Sequence, residues 1–91
     1  MRYAYQPSFL DTTRQLSRAQ ASKLLKAIEK FQQAIEGRQW PQGLGMTHLR
    51  DNYFEFRVDI HMRMIYRRSG DLIQDVLYGS HDRVRRFLKA L

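Results

Sequence analysis

The sequence predicts an α+β domain: a mostly antiparallel sheet of about four to five strands packed against an N-terminal helical hairpin, with a C-terminal helix. Three observations carry this. Apolar side chains recur at three- and four-residue spacing from Ala21 to Ile35, one stripe of an amphipathic helix. Within YFEFRVDIHMRMIYR (53–67) apolar and polar residues alternate on either side of a short break, the period of two strands. LIQDVLY (72–78) is apolar at both parities, as in the interior of a sheet.

Taken in order, RYAYQ alternates and predicts a first strand that Pro7 ends. Ser8 is a candidate cap for a short helix holding Phe9, Leu10 and Leu16. Ser17 followed by Gln20 fits a capping box, which starts the long helix. Its stripe is Ala21, Leu24, Leu25, Ile28, Phe31 and Ile35, and Gly37 is placed to end it. Lys23, Lys26, Lys30, Gln32 and Gln33 form its solvated face. RQWPQGLG (38–45) is a loop; Trp40 in it covers an edge of the core or stacks on a base. Its glycines do not make a phosphate loop, because no Lys-Ser/Thr follows. Met46–Arg50, Tyr53–Val58, Met62–Arg67 and Leu72–Tyr78 are strand-like, with a turn at Ser69-Gly70-Asp71. Gly79-Ser80 breaks the last strand, and Ser80 caps a final helix with Val84, Phe87, Leu88 and Leu91 at helical spacing. The expected order is β-α-α-β-β-β-β-α, with the helices covering one sheet face.

Composition narrows the function. The chain has 91 residues, the size of one domain spanning 1–91, with 43% hydrophobic residues, enough for a core and too many for disorder. It has no cysteine, which excludes disulfides, Cys-ligated zinc and thiol nucleophiles, and suits the cytoplasm. No apolar run is long enough for a membrane helix, and the N-terminus lacks the apolar core of a signal peptide. His48, His61 and His81 show no ligand spacing, so neither metal nor other cofactor is expected. The net charge is +7, from 16 Lys+Arg against 9 Asp+Glu, which points to a polyanionic partner. Both halves are basic, 7 against 3 in residues 1–49 and 9 against 6 in 50–91, so the folded surface rather than a tail is the positive element.

The register of the hairpin follows from burial. A three-residue connection, Asp59-Ile60-His61, sets Val58 opposite Met62, Phe56 opposite Met64 and Phe54 opposite Tyr66, all on one apolar face. A slip of one residue would put arginine into that face, and an unpaired buried guanidinium costs several kcal/mol. In the favoured register Arg57 faces Arg63, Glu55 faces Ile65 and Tyr53 faces Arg67. Like charges directly opposite repel. Either Glu55 bridges both arginines on a solvated face, or an anion such as a phosphate sits above them. His81, in the first turn of the final helix, is either a plain surface residue or part of a phosphate site at the helix N-terminus.

The run HLRDNYFEFRVDIHMRMIYRRSGDLIQDVLYGSHDRVRRFL resembles the RelE/ParE superfamily of bacterial toxins from type II toxin–antitoxin systems. The matching elements are Leu49-Arg50, Tyr53-x-Glu55-x-Arg57, Arg63-x-x-Tyr66 and Gly79-x-His81. The resemblance implies a RelE-like fold and metal-independent, ribosome-dependent cleavage of mRNA, in which the 2′-hydroxyl attacks the scissile phosphate. It casts Arg57 and Arg63 as a phosphate clamp and His81 as general acid or base. Glu55 becomes the second proton-transfer group or an orienter of the arginines, and Arg50, Arg67 and Arg83 hold flanking RNA. It implies a cytoplasmic protein whose partners are an acidic antitoxin, mRNA and the ribosome, with DNA met only through the antitoxin and no membrane. Two departures keep alternatives open: the central strand lacks paired lysines, and no tyrosine follows Tyr78. A ParE-like, non-enzymatic gyrase inhibitor is one alternative, and a degenerate toxin that only binds its antitoxin is another.

Overall fold

The computed structural model describes residues 1–37, 39 and 44–91. The elements are β1 (Arg2–Tyr5), α1 (Pro7–Thr13), α2 (Arg18–Gly37), β2 (Thr47–Arg50), β3 (Tyr53–Arg57), β4 (Met62–Ser69), β5 (Leu72–Ser80) and α3 (His81–Ala90), the expected order. They form a five-stranded sheet of order β1-β5-β4-β3-β2. β2 to β5 make an antiparallel meander, and β1 returns to pair in parallel with β5, Arg2 opposite Leu72 and Tyr5 opposite Asp75. Trp40 lies outside the described residues.

Local chemistry sets the boundaries. The Ser17 capping box forms as read: the Gln20 N–H donates to Ser17 Oγ at 3.1 Å, and the Ser17 N–H donates to Gln20 Oε1 at 3.0 Å. Ser8 is not a cap. Gln6 holds the N-cap position with Pro7 behind it, and the Ser8 hydroxyl donates to the Val76 carbonyl instead, tying α1 to β5. Leu16 falls beyond α1, while Leu10 and Leu25 are 52% and 62% exposed, so the apolar stripe is narrower than the sequence suggests. Ala27 and Ala34, both buried, complete it. Gly37 is the last residue of α2 rather than a left-handed cap. Between β3 and β4, Asp59 Oδ1 accepts from the N–H groups of His61 and Met62 at 2.8 and 2.9 Å, closing the turn.

The hairpin register is the one that burial requires: Phe54 opposite Tyr66, Phe56 opposite Met64 and Arg57 opposite Arg63. Phe56, Met64, Tyr66, Ile73 and Tyr78 meet α1 and α2 on one face. Phe31 lies at the centre, its ring 4.5 Å from both Phe56 and Tyr66. Burying side chains of this size stabilises by about 1.5–3 kcal/mol each.

The helices do not all cover that face. α3 crosses to the other one, where Val84 packs on Ile65, Val76 and Leu77, and Phe87 meets Tyr53 edge-on at 5.4 Å. Ile65 and Leu77 make this second surface apolar enough to hold a helix. A bulge at Val76 permits it: Ile65 pairs with Leu77 but Tyr66 with Asp75, so β5 carries one extra residue. The extra residue shifts the phase, leaving Ile73, Asp75 and Tyr78 on the α2 side and Leu77 and Gly79 on the α3 side.

The phase shift also buries Asp75. It is 3% exposed, the one charged side chain so enclosed among the described residues, and no ion pair there reaches it. Burial pushes its carboxyl up to about 7.

Candidate functional site

Three arginines stand in a row across one end of the sheet, on the α3 side. Arg57 on β3 faces Arg63 on β4, and Arg63 faces Gly79 on β5. Position 79 brings no side chain of its own, and Arg83 occupies the space. A Cβ there would lie 2.8 Å from Arg83 Cγ and 3.0 Å from its Cβ, closer than side-chain carbons pack. A second glycine flanks the row at its other side. Gly45, with φ +61°, lies so that a Cβ would sit 3.4 Å from Arg57 Cβ and 3.6 Å from Nε. The Leu44 carbonyl accepts the Arg57 N–H at 2.7 Å, holding this segment along the arginine.

Arg63 is partly fixed: its Nη1 donates to the carbonyls of Asp59 and Met62 at 3.0 and 3.4 Å. No carboxylate lies within ion-pair distance of Arg57, Arg63 or Arg83 among the described residues. Glu55 therefore does not bridge the two strand arginines. It is half-buried on the same face, opposite Ile65 and Thr47, and its Oε2 is enclosed with no hydrogen-bond partner. Three arginines at neighbouring positions, none in an ion pair among the described residues, have the chemistry to hold an anion with several oxygens, such as a phosphodiester.

His81 is the first residue of α3, exposed, two positions beyond Gly79. The Arg83 N–H donates to Ser80 Oγ at 3.2 Å, the cap the sequence indicates. This places an imidazole and the positive end of a ten-residue helix at the arginine end of the sheet.

Arg50 and Arg67 are not brought to this cluster. Both lie beside Tyr53 at the far end of α3; Arg67 is four residues along β4 from Arg63, about 13 Å of strand. Arg50 Nε approaches Asp51 at 3.8 Å on the surface. His48 serves a turn: Nε2 is 2.6 Å from the Asp51 carbonyl, across from a backbone at positive φ, and its ring lies 4.9 Å from Phe54. Among the described residues no three His, Asp or Glu side chains are grouped to hold a metal ion.

Sequence reasoning missed Gly45 and Gly79. The first was visible only as part of a failed phosphate loop, and the second as a strand end and as part of the Gly79-x-His81 element, without its place beside Arg83. Their role depends on contacts with Arg57 and Arg83 that no spacing rule encodes. Gly79→Ala is expected to push Arg83 off β5 and weaken phosphate-polymer binding about 10-fold or more, the worth of one charge-assisted contact. Gly37→Ala, where a Cβ meets nothing within 4 Å, should leave it unchanged. Titration of both variants with a single-stranded oligonucleotide checks this.

No protein-family model and no curated protein matches the sequence. Solved structures do. The chain is similar to YafQ from Escherichia coli (TM-score 0.66, 12% identity, covering 92% of this chain and 98% of that one). It is similar to a chain of the RelB–RelE antitoxin–toxin complex from Methanococcus jannaschii (TM-score 0.69, 12% identity, 92% and 96% covered). It is also similar to the YoeB/ParE toxin from Agrobacterium tumefaciens (TM-score 0.65, 19% identity, 89% and 99% covered). At such identities the likeness is one of fold.

Proposed function

We propose, for a chain with the fold of the RelE/ParE toxins, that it is the toxin of a type II toxin–antitoxin pair and a metal-independent endoribonuclease that cuts mRNA on the ribosome. The observation that carries this reading is the row of Arg57, Arg63 and Arg83 without a paired carboxylate. A phosphorane-like state gathers negative charge on the non-bridging oxygens, and fixed guanidinium groups stabilise it where it forms. The 2′-hydroxyl attacks the adjacent phosphorus while the P–O5′ bond breaks, leaving a 2′,3′-cyclic phosphate and a 5′-hydroxyl. Glu55 takes the proton of the 2′-hydroxyl and His81 gives one to the leaving 5′-oxygen. Arg50 and Arg67, away from the row, hold RNA backbone at a distance from the cut.

The partner is a protein antitoxin with an acidic, amphipathic segment. The +7 charge favours it, and solved relatives of this fold occur as DinJ–YafQ and RelB–RelE complexes. Labelled mRNA tested with and without programmed ribosomes decides the activity. The expected result is fast cleavage on ribosomes, weak salt-sensitive binding of free RNA, and no loss of cleavage when EDTA is added with the ribosomes kept intact. Rapid sequence-specific cutting of naked RNA would end the ribosome-dependent reading. Gyrase-dependent DNA breaks with intact mRNA would replace it with gyrase poisoning.

A further inference from the structure

The arginine row explains how a phosphate is held but offers nothing that distinguishes one base from another. A second feature at the same end of the sheet does. On the α2 side lies a cavity of about 530 Å³, within the size range of small-ligand sites. Its apolar lining is Leu16, Met62 and the buried Tyr78. Two of these are strand neighbours of the row: Met62 precedes Arg63, and Tyr78 precedes Gly79. The cavity and the row are thus separated only by the strand ends, one on each side of the sheet.

The rim is polar and partly uncommitted. Gln15 and Gln20 line it beside the Asp11–Arg14 ion pair, closed at 2.8 Å. Gln20 gives its Oε1 to the Ser17 N–H, which leaves its amide NH₂ to donate elsewhere. Gln15 is exposed in the lining, and its carboxamide offers both a donor and an acceptor. A polar cavity that also offers Leu16, Met62 and Tyr78 beside amide donors and acceptors has the chemistry to seat a nucleobase: the ring faces pack on apolar and aromatic side chains, and the base edge is read by hydrogen bonds. Met62 suits such a lining because a flexible thioether adapts to different rings.

We infer that this cavity is a nucleobase pocket, holding a base of the RNA strand whose phosphate lies on Arg57, Arg63 and Arg83. The inference rests on the proposed nuclease reading. It locates base preference in the toxin itself: the strand turns over the sheet end past Met62 and Ser80, with its phosphate on one side and a neighbouring base on the other.

Gln20→Glu is the informative variant. A glutamate keeps the capping-box acceptor for Ser17, so α2 starts as before, but it replaces the free NH₂ donor with a carboxylate oxygen. The probe is a short single-stranded RNA carrying a 2′-O-methyl block at the scissile nucleotide and 2-aminopurine at each neighbouring position in turn. With the parent protein, 2-aminopurine fluorescence is expected to fall at one position only. Gln15→Ala/Gln20→Glu should abolish that fall while changing overall affinity, read by anisotropy, by no more than about 3-fold, since the phosphate contacts remain. Arg63→Ala should instead lower the affinity and leave the position of the quench unchanged at saturating protein. RNA that binds with no quench at any position, or a quench unaffected by the double variant, overturns the pocket and leaves the phosphate site standing. A parent protein that binds no RNA overturns both, and an acidic peptide that abolishes the quench while the RNA stays bound would assign the cavity to a protein partner.

Discussion

Arg63→Ala is expected to slow the proposed ribosome-dependent mRNA cleavage by about 10²–10³-fold, the usual loss when one donor to a developing oxyanion is removed. Arg63 stands in the middle of the row, between Arg57 and the Gly79 seat of Arg83, and its Nη1 is anchored to the Asp59 and Met62 carbonyls. The other two arginines lack such anchors among the described hydrogen bonds, so Arg63 is the group held most firmly in place. Its loss should not unfold the protein. Removing one of two like charges opposite each other relieves repulsion, and both carbonyls can turn to water. Arg63→Lys keeps the charge but not the planar two-pronged geometry, and should recover only part of the rate. His81→Ala should fall by ~10²–10⁴-fold through loss of a proton donor, with the deficit deepest at the pH where the parent is fastest. The measurement is single-turnover cleavage at equal protein concentration, with thermal unfolding recorded in parallel. Parent-like rates for both Arg63→Ala and His81→Ala, on folded protein, would leave the row without a catalytic role.

The second large effect concerns stability. Asp75 has an ordinary carboxyl value near 3.8 in the unfolded chain and one raised to about 7 in the fold, where burial disfavours its charge. The sign follows from proton counting. Below about 4 both states hold the proton and Asp75 carries no penalty. Between about 4 and 7 the unfolded chain loses its proton first, so the fold loses roughly 1.4 kcal/mol per pH unit. Above 7 the penalty levels off at ~4 kcal/mol, an order-of-magnitude figure. The groups around it offer no relief: Tyr3 spends its hydroxyl on Glu36 at 2.7 Å, and burial also raises the phenol of Tyr66, its neighbour on β4. Asp75→Asn should therefore match the parent near pH 4, exceed it progressively up to about pH 7, and keep a constant margin from there to pH 8. Urea unfolding of both proteins across that range checks it. Parallel curves at every pH would mean that the carboxylate finds water or a donor when it ionises.

Much of the fold was legible because its signals are local. Alternation located the strands, the Ser17 and Ser80 caps located the helix starts, and the cost of burying an arginine fixed the β3–β4 register. The rest depends on contacts between distant residues. Nothing in RYAYQ reveals that it pairs in parallel with LIQD, and nothing in LIQDVLY marks Val76 as the extra residue. The polar positions of β3 and β4 read as a solvated face, although Tyr53, Ile65 and Leu77 on it were enough to hold α3. For the site, the opposed arginines were readable from register alone. Arg83 joined them only because residue 79 is glycine, whereas Arg50 and Arg67, close to the motif in sequence, fall at the other end of the sheet.

The parallel pairing of the first strand with the fifth bears on how the chain reaches this state. Arg2 meets Asp71 across 69 residues, and β5, the strand between β1 and β4, is synthesised after every other strand. Such long-range closure is slow, because chain entropy is lost before contacts repay it. α1 and α2 are made early, but the strands that bury Phe31 come later, and Gly79 and Arg83 are added later still. A nascent chain therefore carries two of the three arginines on an unfinished sheet and cannot assemble the row. Assembly is timed by the last strand, so the arginine row is complete only once β5 and the first turn of α3 have been translated.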